Sequence, residues 1–228
     1  MCAETMVPTW EVVLPGRACS SFDMRRPRAT LVIHPEEPDE EQLSIPVAVG
    51  RSLAARKGDG CLDVGSRAEL LHAVGEVARR CASARIERLV NMRDYSSDEI
   101  RQKLSMDGYA AKTIEACVRR AADAHLINDA RYADVFVRSK VSAGWGIARI
   151  ERELARRGVE VSQLAGWPYE YLDPEDELSR ACEVARRKGV HGAHPYERLV
   201  RHLCSRGFAM GVSRRAARVV MDESEQDE

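Results

Sequence analysis

Few side chains in this sequence have the type and spacing that chemistry requires. His191-Gly-Ala-His194 sets two imidazoles three residues apart, as in half of a zinc site, but no nearby carboxylate or Cys-x-x-Cys pair completes four ligands, so an exposed linker is expected. Gly144-Trp145-Gly146 resembles the start of a dinucleotide fingerprint. A helical pattern precedes it where a strand is needed, and Arg149 stands at the third glycine's place, so a phosphate cradle is set aside in favour of a hinge between helices. No Gly-x-Ser-x-Gly, His-Glu-x-x-His or P-loop pattern occurs; neither an enzyme nor a cofactor or metal is expected. What remains is arginine. Arg149, Arg152, Arg156 and Arg157 fall within nine residues, the first three at i, i+3 and i+7 on one helix side opposite Ile150 and Leu154. Glu153, four residues after Arg149, is placed to pair with it. Residues 177–218 hold ten Lys/Arg against three acids, a density that suits phosphates or an acidic protein groove. Trp145, between Lys140 and Arg149, either stacks on a partner or covers its own core.

These residues must be held by helices, because the chain is rich in charge (31%) and poor in aromatics (5%). Residues 1–28 show little periodicity and are expected to be disordered. Two apolar runs within 29–49, separated by an acidic turn, predict two short strands, a hairpin-like element completed by a turn to residue 65. From there the sequence repeats. Gly108, Gly158 and Gly207 each follow a leucine by four residues (Leu104, Leu154, Leu203) and an apolar residue by eight (Ile100, Ile150, Leu199), and each precedes a large apolar residue (Tyr109, Val159, Phe208). This is a short helix with an i, i+4 stripe, ended by a left-handed glycine after which the chain tucks back onto the core. With a longer helix before and another after, the unit is three helices used three times, over residues 66–125, 126–172 and 173–221, ahead of an acidic tail, 222–228. Ser96 with Glu99 reads as a capping box, Asn128 as an N-cap and Pro195 as a first-turn proline. Pro168 should shorten or break the last helix of the second unit.

The net charge of −1 is unevenly spread. Residues 1–75 carry 8 Lys/Arg against 11 Asp/Glu, while residues 76–221 carry 27 against 20. Seven cysteines, an odd number with no Cys-x-x-Cys, predict reduced thiols in a cytoplasmic protein, and no apolar run reaches the roughly 20 residues that a bilayer requires.

The run Leu126-Ile-Asn-Asp129-Ala-Arg-Tyr-Ala133, then Phe136-Val-Arg138, Gly144-x-Gly146, Arg149-Ile150, Glu153-Leu154 and Gly158-Val159, resembles the central signature of the RecX family, bacterial regulators of the RecA recombinase. The resemblance covers residues 66 to 221 and implies tandem three-helix repeats in an elongated, curved array. It also implies binding in the groove of the RecA filament, inhibition of strand exchange and of ATP hydrolysis, and, as in several members, contact with single- or double-stranded DNA. A stand-alone DNA-binding helical-repeat protein is the alternative; either is expected to be monomeric and away from membranes. Asn128 and Ile147 depart from the family's usual aspartate and proline. The residues expected to meet RecA or DNA are Arg138, Lys140, Trp145, Arg149, Arg152, Arg156, Arg157, Arg186, Arg187, Arg198, Arg201, Arg214 and Arg215. Gly108, Asp129, Gly144, Gly146, Gly158 and Gly207 form the structural signature.

Overall fold

Residues 8–16, 26–34, 40–173 and 176–226 are described by the structure, a computed structural model of the chain. The β-rich runs near the N-terminus pair with one another before any helix begins. Strand β1 (Trp10–Val13) lies antiparallel to β2 (Arg28–Ile33), with Trp10 opposite Ile33, and β2 lies antiparallel to β3 (Glu41–Pro46), with Leu31 opposite Leu43. The expectation of disorder over residues 1–28 is therefore corrected at Trp10–Val13, and the two-strand element becomes three. Four residues are too few to show a period of two, and the β1 partner is remote in sequence. The rest of that expectation, on residues 1–7 and 17–25, lies outside the described residues. The run through Val49 is also corrected: Pro46 ends β3, and helix α1 (Val47–Gly58) begins at once, since proline cannot continue the ladder but fits a helix entrance.

Eight further helices follow among the described residues: α2 (Arg67–Val90), α3 (Ser97–Asp107), α4 (Ala111–Asp123), α5 (Asp129–Ser142), α6 (Ile147–Ala155), α7 (Glu177–Lys188), α8 (Pro195–Arg206) and α9 (Met210–Gln226). Local chemistry sets their ends. Ser96 and Glu99 close the reciprocal capping box at α3, Asn128 Oδ1 accepts the Arg131 N–H at 2.9 Å at α5, and Pro195 occupies the first turn of α8. Between α6 and α7 a 3-10 turn (Val161–Gln163) and a run of turns replace a third α-helix, as Pro168 foretells. The acidic residues 222–226 are not a free tail, because α9 continues through them and Glu223 pairs with Arg186.

The glycine pattern has its structural counterpart. Gly108, Gly158 and Gly207 have φ of +93°, +68° and +95°, and the N–H of the next residue reaches back to Leu104, Leu154 or Leu203. Those leucines, with Ile100, Ile150 and Leu199, are completely or almost completely buried, each worth about 1.5–3 kcal/mol of transfer free energy. The chain divides into two compact units, residues 1–127 and 128–228. The first packs the sheet, α1 and α2 to α4 around one core; the second has one cluster on α5, α6 and the turns through Leu172, and another on α7, α8 and α9. Among the described residues no helix is long and apolar enough to cross a membrane.

Candidate interaction surface

In the second unit the two sets of helices meet at a backbone crossing. Gly146 N–H donates to Arg206 O at 2.9 Å, and a Cβ built on Gly146 would lie 2.7 Å from Phe208 N and closer still to the Gly207 carbonyl. A Cβ on Gly207 would in turn lie 2.7 Å from Arg149 N. The hinge reading of Gly146 is thus corrected: its φ is −80°, open to any residue, and glycine is needed there for close approach. Gly144, at φ +74°, is the one that makes the turn.

Three arginines fasten this crossing through carbonyls. Arg149 donates to Ser205 O at 3.0 Å, Arg206 to Ala143 O at 3.0 Å and Arg180 Nη2 to Trp145 O at 2.7 Å. Arg180 Nη1 is buried without a hydrogen-bond partner among the described residues, and burial lowers the guanidinium pKa. Trp145 is half-buried against its unit's own core, edge-on to Phe136, with Arg149 over its ring at 3.8 Å and Lys140 at 5.2 Å.

The predicted arginine face separates into different jobs. Arg149 is a packing and hydrogen-bonding residue. Glu153 pairs with Arg156 and Arg157, not with Arg149, and the Arg157 hydrogen bond, with help from Arg156, holds its carboxyl below the usual range. The local reason is rotamer direction: Arg149 leans across to α8, leaving Glu153 to the residues after it. Arg157 also covers Phe136. Arg152 is exposed, and its guanidinium has no hydrogen-bond or ion-pair partner among the described residues. Arg138 is held by Asp134, Arg186 by Glu223 in a two-pronged pair, and Arg187 by Glu183. Arg214 and Arg215 are exposed on α9 and have no such partner among the described residues. Asp129 opens α5, where its charge favours the helix N-terminus.

One group converges. Arg198, Arg201, His202 and Ser205, at i, i+3, i+4 and i+7 along α8, line a cavity of about 320 Å³ with Lys188 from the end of α7. A neighbouring cavity of about 300 Å³ shares Lys188 and His202 and adds Arg187 and Arg206. Arg198 donates to His191 O, so it is oriented without being neutralised. Lys188 and Arg201 have no hydrogen-bond or ion-pair partner among the described residues. Burial, then Arg206 and Lys188, lowers the His202 pKa, leaving the ring neutral near pH 7. The sequence offers His202 and Ser205 only as part of the polar stripe opposite Leu199 and Leu203, whereas Lys188 and Arg206 belong to the basic stretch 177–218, and Lys188 reaches the cavity from α7.

Fold and surface together define a helical module that presents an uncompensated basic groove. The family model for the second three-helix domain of RecX matches residues 128–163. The regulatory protein RecX of Chromohalobacter salexigens is 40% identical over 124 residues, covering 53% of this chain and 80% of the relative; that of Vibrio vulnificus is 34% identical over 125 residues, covering 53% and 80%. A crystal structure of a regulatory protein RecX aligns with a TM-score of 0.54 at 15% identity, over 88% of this chain and 95% of the other. That of RecX from Lactobacillus salivarius gives 0.51 at 16%, over 63% and 96%. The chain belongs to the RecX family of regulatory proteins.

Proposed function

We propose that this chain binds the RecA filament in the bacterial cytoplasm and inhibits its recombinase and ATPase activities, with the α7–α8 groove as the principal contact. The observation that supports this reading is the state of the groove's charges. Lys188 and Arg201 have no acidic partner among the described residues, and Arg198 and Arg206 are tied to carbonyls that orient them while leaving their charge for a partner. Arg152, Arg214 and Arg215 are further candidates, whereas Arg138, Arg156, Arg186 and Arg187 are already paired with acids. RecA-catalysed ATP hydrolysis on single-stranded DNA, with this protein substoichiometric to RecA, tests it. The parent should inhibit, and Lys188→Glu with Arg201→Glu should abolish most inhibition; unchanged inhibition by the double variant at physiological salt rejects the groove.

The same uncompensated cations would also take backbone phosphates, which keeps a DNA-binding reading in play. Salt separates the two: affinity for single strands should fall with a log–log slope of about −0.7 per phosphate contacted. Inhibition at DNA levels too low for competition would require contact with RecA itself.

A further inference from the structure

The first unit contains a second cationic cavity, remote in sequence from the groove residues. It encloses about 310 Å³ where the end of β3 and the start of α1 meet α2, the end of α3 and the residues just ahead of β2, and Arg26, Arg85 and Arg88 line it with Asp107 as the one acid. Asp107 accepts from Arg26 and, at 3.0 Å, from Arg85 Nε, so one carboxylate is shared by two guanidiniums. Arg88 has no hydrogen-bond or ion-pair partner among the described residues. The balance of the lining is two positive charges.

Two further features face an anion. Pro46, Val47 and Ala48 form one wall, and they are the entrance of α1, a 12-residue helix whose N-terminus no side chain caps; its positive dipole end is left uncompensated. Tyr109 lines the cavity at 7% exposure, and its hydroxyl has no hydrogen-bond partner among the described residues. Burial, then the charges of Cys81 and Asp107, pushes the phenol pKa up, so it remains a donor across the physiological range. The ring is buried but the hydroxyl itself is not, so a donor is left open to an anion in the cavity.

We propose that this cavity binds the phosphate group of a small phosphorylated molecule, with Arg88 and Tyr109 donating directly and the Arg26–Asp107–Arg85 network supplying the surrounding positive field. The volume sits at the lower end of small-molecule sites, enough for a phosphate and a modest attached group against the apolar face of Pro27 and Val47. No chemical step is involved; the ligand would join sheet, α1 and α2 across one site.

Calorimetric titration of the 228-residue chain with inorganic phosphate, pyrophosphate and ATP, and separately with a short single-stranded oligonucleotide, tests the proposal. Saturable binding of at least one small phosphate compound is expected. Arg88→Gln and Tyr109→Phe should each weaken it about tenfold, the loss of one charge-assisted hydrogen bond. Arg119→Gln, the same charge change at an exposed α4 position away from the lining, should not. Both test variants are conservative, and unchanged circular dichroism confirms their fold. Lack of saturation by about 10 mM of all three small ligands, equal affinity in the Arg88 and Tyr109 variants, or binding of the oligonucleotide alone would each overturn it.

Discussion

Replacing Gly146 by alanine tests the backbone crossing that organises the second unit. The added Cβ would sit 2.7 Å from Phe208 N and closer still to the Gly207 carbonyl, and these are main-chain atoms with no rotamer to retreat into. Forcing them apart belongs with overpacking, about 1–3 kcal/mol, and lengthening the 2.9 Å bond from Gly146 N–H to Arg206 O adds about 1 kcal/mol. The expected loss is about 2–4 kcal/mol. Gly158→Ala, where the φ of +68° sets the penalty, should cost only about 1 kcal/mol. Urea denaturation followed by tryptophan emission in a Trp10→Phe background reads the second unit alone, since Trp145 and Trp167 both lie there. A Gly146→Ala loss below about 0.5 kcal/mol, or one smaller than that of Gly158→Ala, would refute the close-approach argument.

Arg149→Ala should destabilise the second unit by about 1–2 kcal/mol in the same assay, through the lost Ser205 bond and the lost stack on Trp145. Arg152→Ala with Arg201→Ala should change stability by less than about 0.5 kcal/mol while weakening inhibition of RecA. Ser96→Ala should cost about 1 kcal/mol by opening the capping box, seen as an earlier melt of the first unit. Because His202 is lowered below its ordinary 6.5, the folded state resists a proton that the unfolded chain accepts. Its contribution is present above that value and is lost as pH falls through it towards the folded pKa, so denaturation at pH 7.5 and 5.5 should differ less in His202→Gln than in the parent.

What could be read directly was what neighbouring residues decide. The Ser96 and Asn128 caps, the left-handed glycines at 108, 158 and 207, and the leucine stripes depend on spacings of eight residues or fewer, which the chain displays openly. The corrections concern partners chosen in three dimensions. Trp10–Val13 becomes a strand only because Thr30–Ile33 offers it an edge. Glu153 had three arginines within reach, and its pairing follows from Arg149 being drawn away to Ser205. Gly146 reads as a hinge until Gly207, remote in sequence, is seen against it. The groove was half legible, since the α8 stripe lies in the sequence, whereas Lys188 joins it through the packing of α7 on α8.

The charge pairing within the second unit has a kinetic consequence. Residues 128–228 carry 17 Lys/Arg and 17 Asp/Glu, so the unit is formally neutral although its groove is cationic. A neutral body casts little field beyond a Debye length of about 8 Å at physiological ionic strength, so an acidic partner is drawn in only once nearly docked. Association should then run at the unsteered rate of about 10⁵–10⁶ M⁻¹s⁻¹ and respond weakly to salt. Affinity for the partner must accordingly be written in how long the complex lasts, set by the few groove cations that desolvate against it.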